Sequence, residues 1–95
     1  MAPINTTLLR RFLATHPDAI GERLHLADLL DHNGCAADAT AHYRRARDQL
    51  QALLAQEPAD PRLYEQLARA QVALGEAEGA AVTLGMAAYL RRRVS

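Results

Sequence analysis

His16, His25, His32 and His42 are the imidazoles of this chain, and Cys35 is its one thiol. Imidazole nitrogen and thiolate sulfur both suit zinc. Steps of three and four residues would place His25, Asp28 and His32 on one helical face, with Cys35 three residues further on. Yet there is no pair of cysteines and no His-Glu-x-x-His run, so the spacing reads as scattered surface histidines. No metal and no cofactor are expected. A helix N-terminus near Cys35 would acidify the thiol, while Asp38 one turn later opposes this. Cys35 therefore reads as a buried or half-buried inert cysteine.

Catalysis finds little to work with. The single serine is Ser95, so no serine triad can be assembled. Cys35 with His32 or His42 would have to face a common cleft to act as a nucleophile and its base. Asp28 and Asp31 stand one turn apart on a helix, an arrangement more typical of a solvated face than of an acid/base pair. No Gly-rich phosphate loop is present. The expectation is a protein that is not an enzyme.

Charge narrows the partners. Eleven basic residues, all Arg, balance eleven acidic ones. A neutral total lacks the footprint of nucleic-acid binding, despite the clusters Arg44, Arg45, Arg47 and Arg91, Arg92, Arg93. The second cluster would complement the dipole at a helix end. The absence of Lys reads as the bias of a GC-rich bacterial genome. The longest uncharged run, residues 79–90, is shorter than the roughly 20 residues needed to cross a bilayer. The first residues lack the charged start and apolar run of a signal peptide. A cytoplasmic protein without a membrane span is expected.

These residues must be positioned by helices, since no strand-like alternation occurs. The spacing predicts a first helix over residues 6–15, capped by Asn5 or Thr6 and carrying Leu8, Leu9, Phe12 and Leu13. His16-Pro17 ends it. A second starts at the cap Asp18 and stops at Asn33-Gly34. Its apolar arc, with Ile20, Leu24, Leu26, Ala27, Leu29 and Leu30, is wide enough to pack on more than one side. A third runs to about Gln56 along Ala39, Tyr43, Ala46, Leu50, Leu53 and Leu54. Asp60-Pro61 opens a fourth, stopped by Gly75. A fifth covers residues 76–92, and Gly79 and Gly85 inside it call for a close neighbouring backbone. Only 4% of residues are aromatic, so an Ala-rich core must be thin and closely packed.

One pattern occurs twice. Leu26-Ala27, Leu30, Gly34, Ala39, Tyr43 and Ala46 return as Leu67-Ala68, Gln71, Gly75, Ala80, Leu84 and Ala87, about 41 positions on. On these residues the chain resembles the tetratricopeptide (TPR) repeat family. That family places a small residue after Leu in its first helix, Gly at the turn and small residues around a large one in its second. Pro17 and Pro58 suit its closing proline, and the first helix resembles the second helix of a partial preceding repeat. Two departures stand out. The period exceeds the family's usual 34 by about seven residues, inserted after Ala46. The aromatic of the first helix is present as Tyr64 but replaced by Arg23 in the first unit.

The resemblance implies an all-α, right-handed array of antiparallel helical hairpins in one domain over residues 1–95. It comprises about five helices: two TPR-like repeats, about 18–56 and 60–92, and an N-terminal helix. It implies a non-enzymatic scaffold that holds a protein or peptide partner in a concave groove lined by Leu24, Asp28 and Asp31 with Arg62, Glu65, Arg69 and Val72. His25 stands beside the first three. The Lys/Asn clamp by which some members hold chaperone C-termini is not matched, since Leu24 and Asp28 stand at its places. Val82, Met86, Tyr89 and Leu90 would leave an apolar edge open for self-association. A homodimeric structural module is the second reading, and a metal- or thiol-responsive sensor using His32 and Cys35 the third.

Overall fold

The computed structural model describes residues 5–94. Residues 1–4 and Ser95, which bear on the signal-peptide and serine-nucleophile readings, lie outside the described residues. Five α-helices follow one another: α1 (Thr7–Thr15), α2 (Ile20–His32), α3 (Ala36–Gln56), α4 (Pro61–Ala73) and α5 (Ala77–Val94). No strand occurs among the described residues. Each helix packs on the next, with α1 touching α2 least. The Cα radius of gyration is 14.1 Å and the extents are 44 × 28 × 22 Å. A rounded domain of this length would have a radius of roughly 12 Å, so the helices are laid out in a row.

Side-chain bonds explain the starts of α1 and α4. The Asn5 side chain accepts the Thr7 N–H at 2.9 Å. Asp60 accepts the Arg62 N–H at 2.9 Å, with Pro61 in the first turn of α4 where its missing N–H costs nothing. The start of α2 departs from expectation. Asp18 is not its cap; the helix begins after Ala19 with no side-chain cap. Pro17 and Asp18 are taken up in a turn closed by Ala19 N–H to the His16 carbonyl at 3.1 Å.

The stops repeat bond for bond. After α2, the Cys35 N–H donates to the Leu30 carbonyl at 2.8 Å and the Gly34 N–H to Asp31 at 3.1 Å. After α4, Glu76 donates to Gln71 at 2.8 Å and Gly75 to Val72 at 3.0 Å. Both are Schellman turns, which need a left-handed residue, and Gly34 and Gly75 supply it at φ 82° and 78°. The ends of α1 and α3 match as well. His16 at φ −131°, ψ 66° donates to Phe12, and Glu57 at φ −129°, ψ 67° donates to Leu53, both at 2.8 Å.

The main core holds Leu13, Leu24, Leu26, Leu30, Tyr43 and small residues including Ala27, Ala39, Ala46 and Ala70. As the wide apolar arc demands, α2 is buried on several sides. The extra turns of α3 build a second cluster, in which Leu50 and Leu54 meet Leu67, flanked by Ile20, Leu63 and Tyr64. The inserted residues therefore extend the core beneath α4. The stripe expected on α1 is only partly used: Leu13 is buried, while Leu8 is 78% and Phe12 40% exposed. Phe12 stacks on His16 instead, with ring centroids 4.3 Å apart.

The two glycines inside α5 separate. A Cβ on Gly79 would lie 3.0 Å from Gln71 Nε2, so the close neighbour at this site is a side chain of α4 and not the expected backbone. Nothing lies within 4 Å of such an atom on Gly85, and the expectation fails there as well.

Candidate functional site

Asp28 joins three helices. One carboxylate oxygen accepts the Tyr43 hydroxyl from α3, and the other accepts the Arg69 guanidinium from α4. Tyr43 is buried, and that burial, with Asp31 nearby, pushes its phenol up from the usual range. Asp28 and Arg69 remain 40% and 48% exposed, so the pair is wet and readable from solution. The interval between them is 41 residues, the period of the repeat.

The charged row continues onto α5. Arg91 Nε donates to Glu65 Oε2 at 3.0 Å, and a second guanidinium nitrogen reaches Oε1. The Arg91 hydrogen bond holds the Glu65 carboxyl below the ordinary carboxylate range. Arg62 folds back on Asp60 at 3.4 Å and depresses that carboxyl by the same means. Asp31 and Val72 are exposed. Thus Asp28, Asp31, Arg62, Glu65, Arg69 and Val72 all reach solvent, with Asp28 and Arg69 joined across α2 and α4. Leu24 does not belong with them. It is fully buried in the main core, because the apolar arc of α2 turns that position inward.

On α5, Val82 is 71%, Met86 39% and Tyr89 49% exposed, and Leu90 is half-buried. Steps of four and three residues set Val82, Met86 and Tyr89 in one outward row. Arg93 lies 5.8 Å above the Tyr89 ring.

His25, His32 and Cys35 are exposed. The burial expected for Cys35 is not found, since the residue follows the turn glycine and precedes α3 at the surface. Among the described residues, no three His, Cys, Asp or Glu side chains are grouped to hold a metal ion. The first arginine cluster disperses. Arg47 pairs with Asp48 at 3.2 Å and with Glu76 at the start of α5. Arg44 is exposed, and Arg45 turns toward α1 and α2.

Arg23 escaped the sequence reading as a site. Only 5% of it is exposed. One terminal nitrogen donates to the Pro17 carbonyl at 3.0 Å and the other to His42 Nδ1 at 3.1 Å. A guanidinium only donates, so His42 accepts at Nδ1 and carries its proton on Nε2. Burial, then the charges of Arg23 and Arg10, push the His42 imidazolium below its usual range. The one sequence signal was an Arg where the second unit has Tyr64.

Among the described residues the chain is all-helical, with five helices, a turn that occurs twice and buried small residues that recur at the same interval, while Leu84, the counterpart of buried Tyr43, is 49% exposed. No protein-family model, no curated protein and no solved structure matches the chain. Among the described residues, no helix is long and apolar enough to cross a membrane.

Proposed function

We propose that this chain is a non-enzymatic protein-interaction module, a TPR-like right-handed array of antiparallel helical hairpins acting in the cytoplasm. One observation carries the reading: the recurrence of both turns, the Gly conformation and the buried small residues at one interval. Units that repeat in this way bury their apolar faces on one another and leave an extended surface for a partner. The partner is a peptide or helix with both charge signs. It lies across α2 and α4, over Asp28, Asp31, Arg62, Glu65, Arg69 and Val72. The Asp28–Arg69 and Glu65–Arg91 pairs fix their side chains before binding, which lowers the ordering cost of association.

Site-specific photo-crosslinking tests this placement. A photoreactive side chain at Val72 should trap a partner in native lysate, and one at exposed Gln51 on α3 should not. Equal trapping at both positions, or none at Val72, removes the proposed face.

A second reading rests on the row Val82, Met86 and Tyr89. Three large apolar side chains in line on one helix suit a contact with a second copy of the chain. In that case the homodimer forms through α5, and any partner surface spans two protomers.

A further inference from the structure

Between α1, α2 and α3 lies a pocket of about 390 Å³ that is open to solvent. Leu13 and Leu26 form its apolar wall, and Arg10, Arg23, His42 and Arg45 face it. With about 30 Å³ per water molecule, it has room for a small ion and residual water. No carboxylate lines it among the described residues. Asp38, one turn before His42 on α3, is exposed and is the acidic group that acts on His42 from nearby. Arg23 is nine-tenths buried, and its Nε–H has no acceptor. A buried cation without a counter-charge or a full set of acceptors is costly to a fold.

The second unit shows that the fold does not require this charge. The equivalents of Arg10, Arg23, His42 and Arg45 are Gln51, Tyr64, Thr83 and Met86, all uncharged. Tyr64 makes the same tether as Arg23, donating to the Pro58 carbonyl at 2.9 Å. A phenol therefore suffices where only structure is served. Three guanidiniums gathered around one pocket need another reason.

We propose that the pocket between α1, α2 and α3 binds a small oxyanion of the phosphate class through Arg10, Arg23 and Arg45. The guanidinium fork matches tetrahedral oxyanions, and the bonds to Pro17 and His42 fix the Arg23 guanidinium beside the pocket before an ion arrives. Arg10 and Arg45 close on the ion from the exposed rim. This binding site is independent of the partner face on α2 and α4.

Thermal unfolding of the full chain with inorganic phosphate tests it, at ionic strength matched with chloride. About 10 mM phosphate should raise the midpoint by roughly 5 °C over the chloride control. Acetate should do little. The exposed double substitution Arg10→Gln/Arg45→Gln should keep the fold and remove the phosphate response. Arg23→Tyr, which copies the second unit, should also fold and lose the response. A second readout is the His42 ring resonance of the wild type, which should move on phosphate addition. Three outcomes overturn the proposal: no gain over chloride, an equal gain from acetate, or an unchanged gain in the double variant.

Discussion

Arg23 and Tyr64 hold the same place in the two units and make the same bond. Each reaches back six residues to a proline carbonyl, Pro17 at 3.0 Å and Pro58 at 2.9 Å. The carbonyl belongs to the turn that precedes the helix, so the tether fixes the angle at which α2 and α4 leave their connections. The two side chains share no chemistry beyond an N–H or O–H donor at the end of a long lever. A structural role common to both units is thus separated from a charge peculiar to the first.

The tether has a consequence for stability. Tyr64→Phe removes one hydrogen bond at a half-buried site and should cost about 1 kcal/mol in urea unfolding. Arg23→Ala removes two bonds at a nearly fully buried site and should cost more, about 2 kcal/mol. An Arg23→Ala loss no larger than that of Tyr64→Phe would show that the guanidinium tether is weak.

Asp28 should matter more than the arginine it pairs with. Asp28→Ala strands the buried Tyr43 hydroxyl and should cost about 1–2 kcal/mol. Arg69→Ala breaks an ion pair whose members are nearly half exposed, and should cost less than about 1 kcal/mol. A double-mutant cycle in urea separates the two. A coupling energy well above 1 kcal/mol would mean that the pair is drier than its exposure implies.

The glycines give a paired test of backbone conformation. Gly85 sits in a helix with open space around its missing Cβ, so Gly85→Ala should stabilise the chain by about 1 kcal/mol. Gly75 stands at φ 78°, and Gly75→Ala should destabilise by about 1–2 kcal/mol. The midpoints should move apart by about 8 °C or more in calorimetry. Movement of both in one direction would contradict these assignments.

These glycines also mark how far the sequence could be read. Gly34 and Gly75 announced their turns because only glycine takes the left-handed conformation cheaply. Asp60-Pro61 announced α4 for an equally local reason. Asp18 misled because Pro17 commits the chain to a turn that extends past it. Leu24 misled because family position was followed when the apolar arc of α2 already claimed it for the core. Cys35 misled through the usual burial of its residue type, while its place was set by the turn beside it. The pocket around Arg23 was invisible, since Arg10, Arg23 and Arg45 lie on three helices and meet only after packing.

His42 should impose a pH dependence. Its imidazolium is disfavoured in the folded chain by burial and by the Arg23, Arg10 and Arg45 charges, with Asp38 opposing in part. The unfolded chain takes up the proton near the ordinary value of 6.5 and the folded chain only at lower pH. Between these values the unfolded state holds more protons. Stability should therefore be level above pH 6.5 on this account and fall as pH drops below it. His42→Gln, which can still accept from Arg23 through its amide oxygen, should flatten that part of the curve in phosphate-free buffer. An unchanged slope in the variant would rule out His42 as its source.

Self-association through α5 is read by light scattering over a range of concentrations. If Val82, Met86 and Tyr89 form a dimer contact, Met86→Glu should give a monomer with unchanged helicity. Because Met86 is 39% exposed, the substitution should not unfold the chain. A variant that unfolds would place Met86 in the core and remove the contact.

The most direct measurement of the interaction role is affinity capture from native lysate at low and high salt. It should compare the wild type with the swap Asp28→Arg/Arg69→Asp. The swap keeps an ion pair across α2 and α4 but reverses the charge pattern a partner would meet. A protein held by the wild type at low salt, released by high salt and lost in a folded swap variant is the expected result. Capture of the same protein by both chains, or of none by either, would contradict a partner face on α2 and α4.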